Sequence, residues 1–100
     1  MANDNNLAEG LADGEGTPLT INRPASGNRE TSVFVYGVFG GASVKVQVNP
    51  KKVSETAEWF DISGANWVIK GVKELILSAT QVRVVVSGGD GTTAINAMIW

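Results

Sequence analysis

The chain contains neither cysteine nor histidine. The first absence excludes disulfides, thiolate metal sites and cysteine nucleophiles. The second removes the usual general base near neutral pH and the commonest metal ligand. No catalytic residue, metal or cofactor is therefore expected, and stability has to come from packing. Charged residues are also sparse, at 18% against 43% hydrophobic, the balance of a globular chain whose surface is partly covered. No stretch approaches the roughly 18 apolar residues of a membrane span, and residues 1–16 are too polar and acidic for a secretory signal. The expectation is a soluble protein made in the cytoplasm, with no membrane partner.

What is present fits one domain of 100 residues with a single core. The net charge of −2 is unevenly spread. Residues 1–16 hold Asp4, Glu9, Asp13 and Glu15 with no cation, and the remainder holds eight cations against six acids. Neither part has the basic footprint of a phosphate-binding surface, so nucleic acid is not an expected partner. Residues 1–16 combine Asn, Asp, Glu and Gly with two isolated leucines, Leu7 and Leu11. They read as an acidic arm, mobile in isolation, because so little apolar area does not offset chain entropy. Residues 17–100 form the body.

From Thr17 onward, short apolar alternations are punctuated by turn residues every eight to twelve positions. This is the texture of an all-β protein, a mainly antiparallel β-sandwich of jelly-roll or Ig-like type. About eight short strands are expected, at 19–22, 32–38, 43–49, 58–62, 66–69, 74–79, 82–87 and 93–100. Turns are expected at Gly40-Gly41, Asn49-Pro50, Ser63-Gly64, Gly71 and 88–91. Residues 50–57 (PKKVSETA) read as the longest loop.

Side chains two apart in a strand share a face. Val44, Val46 and Val48 then point inward, with Ser43, Lys45, Gln47 and Asn49 toward water. In 32–38, Val33 and Val35 occupy one face while Phe34, Tyr36 and Val38 occupy the other, so both faces are apolar. Residues 82–87 repeat this with Val85 beside Arg83, 74–79 with Ile76 opposite Leu75 and Leu77, and 93–100 with Met98 and Trp100 opposite Ile95 and Ile99. A two-layer sandwich has one core, and lone soluble proteins rarely leave large apolar patches in water. Phe34, Tyr36, Val38, Trp59, Val85 and Trp100 are accordingly the expected oligomer or partner interface, with Trp100 docked and its ring packed.

Other groups read more plainly. Glu55, Glu58 and Asp61 form the closest carboxylate group of the body, but Glu58 and Asp61 point to opposite faces of their strand, which reads as a solvated edge rather than paired acid/base chemistry. Residues 88–91 read as a hairpin loop, and 13–16 as a hinge lacking the later ligands of a calcium loop. Trp59, Trp67 and Tyr36 are the groups a sugar-stacking platform would use.

Four segments, 42–50 (ASVKVQVNP), 58–62 (EWFDI), 82–89 (VRVVVSGG) and 94–100 (AINAMIW), together resemble small β-sandwich virion structural proteins of tailed bacteriophages. The resemblance implies a capsid decoration, or cement, protein that binds and stabilises the major capsid protein lattice. It also implies residence on the capsid surface of the virion and assembly as a homo-oligomer, with a trimer favoured. Leu7, Leu11, Asp13 and Glu15 of the arm would then contact the partner. A receptor- or carbohydrate-binding module of a phage tail, or a neck or tail adaptor, are the alternatives sharing the same texture.

Overall fold

Alternating β-branched residues favour extended backbone because each face of a pleated strand packs against its neighbours. The computed structural model describes residues 5–21, 29–52 and 54–100 and contains nine strands, with that pattern clearest in 29–38, 43–49 and 81–87. The strands are β1 (Asn6–Leu11), β2 (Gly14–Glu15), β3 (Leu19–Thr20), β4 (Arg29–Val38), β5 (Ser43–Asn49), β6 (Phe60–Trp67), β7 (Gly71–Leu77), β8 (Gln81–Ser87) and β9 (Ala94–Ile99). No helix occurs among the described residues. One sheet has the order β1-β9-β4-β7; the other runs β2-β8-β5-β6, with β3 also on β8. Every pairing is antiparallel.

The pairings are nested. β1 pairs β9, β2 and β3 pair β8, β4 pairs β7, and β5 pairs β6. The chain is thus one long antiparallel ribbon folded over on itself into two sheets, which is the jelly-roll arrangement. An Ig-type sandwich orders its strands differently. β2 and β3 behave as one interrupted strand, because the amide of Gly16 between them donates to the Val84 carbonyl at 2.8 Å. Pro18, with no N–H to give, falls in the gap.

Between the sheets lies an aliphatic core that includes Leu7, Val33, Val35, Val44, Val46, Val82, Val84, Val86, Ile95 and Ile99, each at most 1% exposed. The inward faces expected for β4, β5, β8 and β9 are those observed. Several expectations need correction. The residues read as an arm are placed in the sandwich: β1 is an edge strand, Leu7 is fully buried and Leu11 packs against the core. The separation at residue 16 therefore cuts through both sheets. Tertiary pairing with β9 supplies the order that two isolated leucines do not. Asp4 of that segment lies outside the described residues, as does Asn22 of the strand expected at 19–22.

The turn expected at Ser63-Gly64 is absorbed into a single strand, β6. Lys45 pairs Asn66 and Gln47 pairs Asp61, so β6 carries extra residues as a bulge, with Gly64 at φ 80°. An edge strand accommodates a bulge because only one ladder is disturbed. Asn49 is 1% exposed rather than solvated. Its parity still points outward, but the 50–58 loop closes over it. Asn49 Oδ1 accepts from the amides of Lys51 (2.9 Å) and Glu58 (3.2 Å), and its Nδ2 donates to Gln81 Oε1 at 2.9 Å.

Candidate interaction surface

The outward residues of the β1-β9-β4-β7 sheet form cross-strand rows fixed by register. Phe34 lies between Met98 on β9 and Val72 on β7. One step along, Tyr36 is opposite Asn96 and Val38 is opposite Ala94. In the other direction Ser32 faces Glu74, and Glu30 faces Ile76. The strand β9 continues beside Ser32, where the amide of Ser32 donates to the Trp100 carbonyl at 3.0 Å and the Trp100 amide donates back at 2.9 Å. The Thr31 hydroxyl also donates to that carbonyl. A band of Phe34, Tyr36, Val38, Val72, Ile76 and Trp100 is thereby left in water, from 39% exposure at Phe34 to 66% at Ile76.

The backbone of Trp100 is docked as expected, but its ring is not packed, being 60% exposed. Its main chain completes a ladder in the sheet while the side chain takes outward parity. Within the band the Tyr36 hydroxyl points to Met98 Sδ at 3.6 Å, a weak contact that leaves the ring edge free.

The opposite outer face is built differently. Lys45 Nζ meets Asp61 Oδ2 at 3.3 Å, and Gln47 Nε2 donates to Asp61 Oδ1 at 2.8 Å. Arg83 Nε donates to Gln47 Oε1 at 2.9 Å, and its guanidinium stacks on the Trp59 ring at 4.2 Å from the centroid. Hydrogen bonding from Gln47 and then Lys45 holds the Asp61 carboxyl below its ordinary value of 3.8. Lys45, Gln47, Asp61 and Arg83 are thus linked across three neighbouring strands. Val85 sits half-buried among them, opposite Lys45 and Glu15.

The six expected interface residues therefore divide. Phe34, Tyr36, Val38 and Trp100 share the apolar face, whereas Trp59 and Val85 lie on the networked one. Of the arm residues, Leu7 and Leu11 turn inward, and Asp13 and Glu15 remain exposed. Of the three groups expected for a sugar platform, Trp59 is half-buried with Arg83 across one face of its ring and Trp67 is 5% exposed, while Tyr36 is exposed on the opposite sheet. Glu58 pairs with Lys51 at 3.7 Å, apart from the Asp61 network. Ile76 was legible as the odd residue between Leu75 and Leu77. Val72 was not, because Gly71 beside it read as a turn; Gly71 is instead the first residue of β7, opposite Val35. No family model matches the chain, and neither does any curated protein or solved structure. Among the described residues no group of three or more acidic side chains is placed to hold a metal ion.

Proposed function

We propose that this chain is a non-enzymatic virion structural protein of the capsid-decoration type, which lays the outer face of its β1-β9-β4-β7 sheet on the major capsid protein lattice. The asymmetry of the sandwich carries this reading: one outer face is an exposed apolar band of Phe34, Tyr36, Val38, Val72, Ile76 and Trp100, while the other is closed by its own polar network. Large aromatic side chains in the centre of a face are the usual anchors of protein contacts, since they bury much area for little rotamer entropy. Stable contacts of this kind bury about 800 Å² on each partner. Binding only to the assembled shell would stabilise it by mass action. The sandwich edges, with Val68 (66%) and Ile69 (73%) exposed between β6 and β7, are left for contacts between copies of the chain in a trimer. The covered ring of Trp59 and the buried ring of Trp67 weigh against the carbohydrate-binding alternative.

Co-sedimentation with expanded empty capsids tests the reading. The parent chain is expected to pellet with the shells. Replacing Phe34 and Val72 together by serine is expected to weaken binding roughly 100-fold, the scale of one or two lost anchors, while the chain stays folded with a lowered melting temperature, because both side chains lie outside the core and only their cross-strand contacts are lost. A parent chain that stays in the supernatant, or a double variant that binds as well as the parent, would defeat the proposal.

A further inference from the structure

The apolar band ends in an open depression of about 450 Å³ whose lining includes Glu30, Glu74, Ile76 and Trp100. Register makes the two carboxylates diagonal neighbours on β4 and β7, with Ile76 opposite Glu30 and Trp100 across Ser32 from Glu74. Among the described residues neither carboxylate takes part in an ion pair; the two pairs present are Lys45–Asp61 and Lys51–Glu58. Lys73 of β7 has the opposite parity and lies 5.9 Å from the Trp67 ring centroid. The described side chains on the outward positions of β4, β7 and β9 thus include two carboxylates and no cation.

Resting on the docking role proposed above, we infer that the partner is a basic-apolar protein surface that places an arginine or lysine in this depression. Charge complementarity selects this occupant. A cationic head would meet Glu30 and Glu74 in charge-assisted hydrogen bonds. Its planar or ammonium group would lie against the exposed indole of Trp100. The aliphatic stem would run along Ile76, as long cationic side chains do beside apolar surface. The rest of the partner would cover Phe34, Tyr36 and Val72. A second copy of this chain fits the face less well: in a two-fold contact the same patch meets itself, which brings carboxylates to a surface with no cation to receive them.

The test uses the full chain and a blocked Leu-Arg-Leu tripeptide as probe, against the same peptide with neutral citrulline in place of arginine, read by NMR at the Trp100 indole and the Ile76 methyls. The arginine peptide is expected to shift both signals and to bind roughly tenfold tighter than the citrulline peptide, the scale of two partly exposed ion pairs. Added salt should erode that preference. The double variant Glu30→Gln, Glu74→Gln should abolish it. Equal affinity for the two peptides, or shifts elsewhere on the chain, would overturn the inference. So would light scattering in which the double variant self-associates more tightly than the parent, since that identifies a second copy as the occupant. Capsid co-sedimentation separates this from the reading it rests on. If the basic partner is wrong but docking is right, the glutamine variant pellets as the parent does and the serine variant does not; if docking is wrong, the parent itself stays in solution.

Discussion

Leu7→Ala is expected to lower the unfolding free energy by about 3 to 5 kcal/mol, the range for a leucine whose removal leaves an unfilled cavity. Leu7 is fully buried although it sits in an edge strand. Its carbonyl accepts the Thr17 amide at 3.0 Å, and a Cβ at Gly16 would come within 2.2 Å of that oxygen, so the segment is clamped where it enters the second sheet. A domain of this size has about 5 to 15 kcal/mol in all. The loss should therefore move the melting temperature down by more than about 10 °C. Leu11→Ala, at a half-buried position, should cost less. Calorimetry on the two variants checks the ranking, and a Leu7→Ala protein that melts with the parent would show that β1 does not close the core. Deleting residues 1–16 removes β1 and β2 together, so loss of partner binding in that deletion would report unfolding rather than a lost contact.

Asn49→Leu is the second large effect, expected at about 2 to 4 kcal/mol. The substitution leaves the Lys51 and Glu58 amides and Gln81 Oε1 without their partner, and each stranded polar group costs about 1 to 3 kcal/mol where water does not reach it. The nine residues after β5 lose the acceptor that gathers both ends of the loop, so limited proteolysis should cut first within 50–58. Asn49→Ala should behave similarly, with less overpacking. If the loop in either variant resists protease as in the parent, the pinning role assigned to Asn49 is wrong.

Strand β5 was legible to the residue, Ser43–Asn49, because valine alternates with polar residues through its length and both bounding turns announce themselves. The excess of apolar surface on β4 was equally legible, since Phe34, Tyr36 and Val38 interleave with Val33 and Val35. What escaped the sequence was set by partners distant in the chain. β1 has too few apolar residues to declare itself, and becomes a strand only when β9 offers a ladder. The burial of Asn49 depends on a loop folding back over an outward position. The stacking of Arg83 on Trp59 joins residues 24 positions apart and turned an apparent anchor into a covered ring. Periodicity reports which way a side chain points, but it does not report what arrives to cover it.

The nested pairing has a consequence for how the molecule comes to exist. β9 lies between β1 and β4, so the first sheet has a gap at its centre until residues 94–99 are available, and β1 has no neighbour of its own before then. Until β9 arrives, β1 has no ladder at all, and the valine-bearing β4, paired only with β7, keeps one edge open. Closing such long-range ladders is slow, on the order of milliseconds to seconds. During that interval, exposed edges and an unsealed interior are what other nascent chains would encounter.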